Sequence, residues 1–386
     1  MFAVPRALAA GADAGEAEAA GQFVSACKRA DGSFALAFVT SDGKILREIK
    51  LNGRGHDIAL SPDRRSGVAF ARRPGRFAVA FDVAGAREPI IFEPPADRHF
   101  YGHGVFSPDG QLLYATENDY EEGRGVIGVY DADAGFRRIG ELQSYGIEPH
   151  EIILLPDGVT LAAANGGIDT HPDTGREKLN LSTMQPSLTF IDRRSGDLIA
   201  RHELDPSLHK LSIRHLASDA HGRVWFGGQW EDALETSPEL VGWASRDEAL
   251  RLVTPDQPMG ALLKGYIGSM TTAQGGEIVT VSAPRAGRIL NFAAGSGKLV
   301  NEVLLRDSCG ISPGPGMTVA MSSGEGLLEI ATPGKDPHVT ATFDLAFDNH
   351  LRLLPLGRIA DASAAAPRAA SRAGPGVHSS FNDQNT

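Results

Sequence analysis

The chain has 386 residues, 42% of them hydrophobic and 22% charged, which supplies material for a large core and excludes a disordered class. Lys and Arg number 37 against 48 Asp and Glu, a net charge of -11 with no basic block, so a nucleic-acid backbone would be repelled by most of the surface. Two cysteines, Cys27 and Cys309, rule out a disulfide framework, and neither a CxxC pair nor ~18 consecutive apolar residues for a membrane span occurs.

Residues 1–21, MFAVPRALAAGADAGEAEAAG, read as a flexible Ala-rich leader or the remnant of an export signal, because the ALAA stretch lacks a long apolar segment before it. Three strand-like runs follow, QFVSACKR, FALAFVTS and KILREIKL, bounded by turn dipeptides. A repeat then begins. His56 opens HDIALSPDRR, His103 opens HGVFSPDGQ, His150 opens HEIILLPDGV and His215 opens HLASDAHGRV. Each opening strand precedes three more, such as LLYATEN, GVIGVYDA and FRRIGEL after His103. The spacing is 47 residues from His56 to His103, 47 to His150 and 65 to His215, the excess lying in the polar loop GGIDTHPDTGREKLNLSTMQP. A period of ~40 to 50 residues with four strands is that of a β-propeller blade. Further blades open at Ser269 in IGSMTTAQGG and at Cys309 in CGISPGPG.

The N-terminal runs match only the second to fourth strands of a blade, and one unpaired run, NHLRLLP from His350, remains at the other end. The expectation is an all-β, seven-bladed propeller over residues 22–357, four strands per blade, closed by a C-terminal strand that completes the N-terminal blade. Residues 358–386, rich in Ala, Pro and Ser, read as a disordered tail.

The first strand of each propeller blade lines the central channel. The opening position around the ring is His56, His103, His150, His215, Ser269, Cys309 and His350, so five of 12 histidines share one structural position. Imidazoles and a thiolate are transition-metal ligands, and the set His56, His103, His150, His215, His350 and Cys309 predicts one such ion at the channel mouth, iron or copper ahead of zinc. For a lone histidine the plainer role is to satisfy a buried backbone carbonyl or channel water.

Asp57 and Glu151, each following a ring histidine, could orient a ligand, although strand alternation favours turning them into blade packing. Arg54 and Arg214 precede ring histidines, and Tyr101 and Tyr266 fit the rim of the mouth. The cluster Glu117, Asn118, Asp119, Glu121 and Glu122 lacks EF-hand spacing and reads as a solvated hairpin. His171 lies in the long polar loop, while His99, His202, His209, His221, His338 and His378 fall at turns or outer strands. No GxSxG, Walker A, HExxH or dinucleotide fingerprint is present. Two other functions stay open: a metal-free scaffold that binds a peptide or protein on one face, and a metal-dependent redox enzyme or lactonase-like hydrolase.

The strings GHGVFSPDGQLLYATENDYEEGRGVIGVYD, GIEPHEIILLPDG, ANGGIDTHPDTGREKLNL and SIRHLA resemble a bacterial family, domain of unknown function 1513, over most of residues 22 to 355. The resemblance implies a WD40-like seven-bladed propeller exported to the periplasm, commonly through a twin-arginine signal. It also implies a link to periplasmic iron or copper handling beside other metal-handling proteins, since such families accompany imelysin-like peptidases and di-haem oxidoreductases. The twin-arginine motif itself is missing, so this localisation requires a start upstream of Met1. A weaker architectural similarity is to the propeller of nitrous oxide reductase.

Overall fold

The computed structural model describes residues 21–357 and 359, apart from 74, 176 and 338. The leader assigned to 1–21 and the tail assigned to 358–386 therefore lie almost wholly outside the described residues. Within them, 28 strands, numbered β1–β28 in chain order, form seven four-stranded antiparallel sheets. Six sheets are consecutive meanders. Their innermost strands are β4 (Gly55–Leu60), β8 (Arg98–Phe106), β12 (Pro149–Leu154), β16 (Leu211–Ser218), β20 (Ser269–Ala273) and β24 (Ser308–Pro313). The seventh has the order β28-β1-β2-β3, with β28 spanning Leu345–Leu354 and β1 to β3 spanning Gln22–Arg29, Phe34–Thr40 and Ile45–Leu51. The closing strand is longer than the expected run from His350, because it already begins at Leu345.

Blades stack face to face, so their middle strands are buried on both sides and read as continuous apolar runs. FALAFVT in β2 has a buried interior from end to end. Apolar clusters fill the space between neighbouring blades: Phe70 and Ala59 from one blade pack with Phe100, Phe106 and Tyr130 of the next. The outermost strands carry the exposed residues Ile45, Ile90, Leu198 and Leu299. Pro-Asp follows three of the inner strands, β4, β8 and β12, and its aspartate builds a side-chain turn: Asp109 accepts from Gln111 N at 3.1 Å, and Asp157 accepts from Val159 N at 2.9 Å and Thr160 N at 2.8 Å.

Closure is a regular ladder from Gln22↔Leu354 to Arg29↔Leu345, interrupted once. Ser25 Oγ donates to the His350 carbonyl at 2.7 Å, and Arg64 reaches across to the Leu353 carbonyl at 2.7 Å. Ile359 is buried against the same blade, so apolar packing continues past the last strand. No helix is long and apolar enough to cross a membrane among the described residues.

Candidate metal centre

In a regular strand His56 and Asp57 would face opposite sides, and a histidine at the channel would send its neighbour into the blade. The inner strands are not regular there. Pairing of β4 jumps from Gly55↔Ala71 to Ile58↔Ala69, which leaves His56 and Asp57 together opposite Phe70. Similar jumps leave Tyr101, Gly102 and His103 outside the β8 ladder, His150 outside that of β12, and Arg214 outside that of β16 beside His215. Cys309 and Gly310 on β24, and Asp348, Asn349 and His350 on β28, are displaced in the same way. Only β20 stays in register, with Ser269 opposite Ser282. Five of the seven channel positions thus sit in β-bulges and His215 sits beside one, and such bulges re-aim side chains near functional sites.

The bulges bring the five histidines together. Ring centroids lie 4.8 Å apart for His56 and His103, 5.0 Å for His103 and His150, 4.9 Å for His150 and His215, and 4.7 Å for His56 and His350. His215 and His350 approach to 5.2 Å although two blades separate them, because those blades contribute only Ser269 and Cys309. Two groups of three, His56/His103/His350 and His103/His150/His215, offer ring nitrogens within 4.8 Å of one another and share His103. Asp57, His103 and Glu151 form a third such group. All these side chains are buried.

Burial dominates their protonation. It pushes the His56 pKa down to about 3, against the opposing pull of Asp348, and holds His150 and His350 well below the usual imidazole range, with neighbouring cations and rings adding to the effect. His215 is lowered by burial despite its bond to Glu151. These rings are neutral at pH 7, the form that ligates metals.

Carboxylates fix the orientation of three rings, each reaching from one blade to the next. Asp348 Oδ1 lies 3.3 Å from His56 Nδ1, Asp57 Oδ2 lies 3.0 Å from His103 Nδ1, and Glu151 Oε2 lies 3.1 Å from His215 Nδ1. A carboxylate on Nδ1 leaves Nε2 for a metal and makes it more basic. Arginines back the carboxylates: Arg352 reaches Asp57 at 2.6 Å, Arg54 reaches Asp348 at 2.5 Å, and Arg72 reaches it at 3.2 Å. Burial opposes the ionisation of Asp57 and Asp348. For Asp57 the adjacent Arg352 and His103 outweigh it, and for Asp348 His56 and its arginines do, so both stay ionised well below the usual carboxylate range. Asp57 and Glu151 therefore hold channel histidines instead of turning into the blades. Asp348 escapes the sequence pattern altogether, since it precedes the expected start of the closing strand.

After these bonds are made, His103 Nε2, His350 Nε2 and His150 Nδ1 remain buried without a hydrogen-bond partner among the described residues. Each such atom costs about 1–3 kcal/mol if nothing binds it. Buried imidazole nitrogens grouped in this way suit a divalent transition ion, and the donor set passes that chemical test.

Glycines give the rings room. Gly102 has φ +108°, and a Cβ there would lie 2.6 Å from His56 Cδ2; a Cβ on Gly310 would lie 2.8 Å from the His350 backbone. Gly102→Ala should therefore displace the His56 ring and add backbone strain, lowering stability by about 1–3 kcal/mol. Thermal unfolding beside metal titration checks this, and an alanine variant equal to the parent in both would contradict it.

Cys309 is not brought into any of these groups. Its Sγ lies 3.8 Å from Asp307 Oδ1, and burial, reinforced by that carboxylate, raises the thiol pKa far above its ordinary value, so it stays protonated. Ser269 Oγ lies 3.5 Å from His350 Nδ1. Glu117, Asn118 and Asp119, read from sequence as a solvated hairpin, are buried in β9 (Leu112–Asp119), where Arg138 reaches Glu117 at 3.0 Å and Arg124 reaches Asp119 at 2.7 Å. Only Glu121 and Glu122 are exposed. His171 packs on Tyr120 in an outer loop, with ring centroids 5.1 Å apart. His99 is on inner strand β8, held by the Phe100 carbonyl and Asn118, not at a turn. His202, His209 and His221 lie on an outer strand or at turns, as expected, while His338 and His378 fall outside the described residues.

Among solved structures, the chain is similar to hydrazine synthase of Kuenenia stuttgartiensis, with 14% identity, a TM-score of 0.56, and coverage of 78% of this chain and 89% of that one. At that identity the likeness concerns the fold alone. No curated protein matches the sequence. The model of one family, described as "Protein of unknown function (DUF1513)", matches residues 49–354, from the end of β3 to the end of the closing strand, and the chain belongs to that family.

Proposed function

We propose that the protein is a periplasmic binding protein that holds one transition-metal ion, iron or copper, in its propeller channel and serves metal uptake or handling. His56, His103, His150, His215 and His350 supply the candidate ligands, with Asp348, Asp57 and Glu151 orienting three of them. The observation that carries the reading is the convergence of buried, unpartnered imidazole nitrogens, a costly arrangement that an ion would satisfy. Neutral imidazoles suit Fe(II) and Cu, and also bind Zn, so geometry and supply choose among them. Localisation and link to metal handling rest on the family resemblance.

The test is elemental analysis of protein purified without an affinity tag, followed by thermal unfolding of the stripped protein with Fe(II), Cu(II) or Zn(II). Near-stoichiometric metal is expected, and a ligand at a hundred times its Kd should stabilise the fold by about 2.7 kcal/mol. A chain that purifies empty and whose melting temperature ignores all three ions would overturn the proposal.

A further inference from the structure

Directly above the histidines the channel opens into a cavity of about 370 Å³, with His56 and His150 at its floor. That volume lies within the range of small-molecule sites. Five cationic side chains line it, Arg72, Arg73, Lys178, Arg214 and Arg285, and no carboxylate does. In a chain of net charge -11 this segregation is unusual. We infer that the channel mouth binds a small multivalent oxyanion, a polycarboxylate or polyphosphate.

The carboxylates that partner these cations stand behind the wall. Glu148 is fully buried and holds Arg73 at 2.9 Å and Arg214 at 3.4 Å; Glu231 pairs with Lys178 and lies 3.6 Å from Arg214. These pairs fix the cations in place from the protein side, at the wall of the cavity. Arg285 is different. It is exposed, and the contact it makes is with the face of Tyr266, 4.7 Å from the ring centroid. A second kind of group also points to a ligand. Tyr101, displaced in the β8 bulge, is 3% exposed and lines the cavity, and its buried hydroxyl has no hydrogen-bond partner among the described residues. Its phenolic O–H is a hydrogen-bond donor. A carboxylate or phosphate oxygen would satisfy this hydroxyl while its other oxygens met the guanidinium groups. Low-dielectric walls lined by one sign of charge also concentrate anions at such a mouth.

The site needs no metal, and its test is made without one. Protein stripped with a chelator and dialysed free of it is titrated calorimetrically with citrate, pyrophosphate and, as a neutral control, glucose. Saturable binding of citrate or pyrophosphate, weakened by added salt and absent with glucose, is expected. The tighter of the two identifies carboxylate or phosphate as the preferred chemistry. Arg285→Glu should weaken binding by about tenfold or more, and Tyr101→Phe by several-fold. Arg285 is exposed, so its reversal leaves the melting temperature unchanged and separates lost binding from lost fold. No heat with either anion, or affinity indifferent to Arg285→Glu in a folded protein, would overturn the inference. A protein that binds anions but never metal would sink the metal proposal and leave this one standing.

Discussion

Replacing His103 and His150 together by alanine is expected to remove the metal. His103 belongs to both three-histidine groups, so its loss leaves each with two nitrogens, and loss of His150 reduces the second group to one. Two neutral imidazoles hold a divalent ion far more weakly than three or more, and metal content should fall from near one per chain to background. The fold should survive, because the cores between blades are built from other residues such as Phe70, Phe100 and Leu113. Each substitution removes a buried ring, at a cost of a few kcal/mol offset in part by the loss of an unsatisfied nitrogen. His171→Ala, on the outer loop, is the control and should keep its metal. Elemental analysis of the three proteins decides the matter, and equal content in the parent and a folded double variant would sink the site.

Ending the chain after Asp344 should have a larger effect, on fold and site at once. β28 buries Leu345, Phe347, Leu351 and Leu354, and at about 1.5–3 kcal/mol each their loss amounts to roughly 6–12 kcal/mol. That is comparable with the whole stability of a typical domain, about 5–15 kcal/mol. β1 would become an unpaired inner strand, with its row of backbone donors and acceptors facing the channel. A chain ending after Ile359 should instead melt like the full-length protein, because it retains the closing strand and the apolar contact beyond it. Thermal unfolding and gel filtration of the two shortened chains provide the comparison. Cooperative unfolding at the parental temperature by the chain ending at Asp344 would refute the importance assigned to closure.

The blade count could be read from the sequence because three inner strands run into a turn with its own signature, Ser-Pro-Asp or Leu-Pro-Asp, and because histidine recurs at one phase of the repeat. The closing strand was legible as a run left over when all other strands had been assigned. The bulges were not. An extra residue in a strand leaves no mark in apolar alternation, so Asp57 and Glu151 looked like residues turned into the blade, and Asp348 looked like part of the preceding loop. Burial of Glu117 and Asp119 escaped notice for a related reason: their partners Arg98, Arg124 and Arg138 come from neighbouring strands of the sheet. The cationic mouth was the least legible feature. Arg72, Lys178 and Arg285 lie far apart along the chain and meet only because the ring brings their loops to one axis.

Beside the ladder between the first and last strands, the Ser25 hydroxyl bonds the His350 carbonyl, 325 positions away in sequence. Two groups of the centre travel on that last strand: His350 itself and Asp348, which sets the orientation of His56. A growing chain therefore carries four of the five histidines from residue 215 until residue 350 without the ring that would hold them in register, and the contact that completes the ring is among the most distant in sequence, where closure is slowest. On the proposed function, capture of an ion by all five imidazoles would belong to the finished molecule, and occupancy of the centre would report that the last strand has docked.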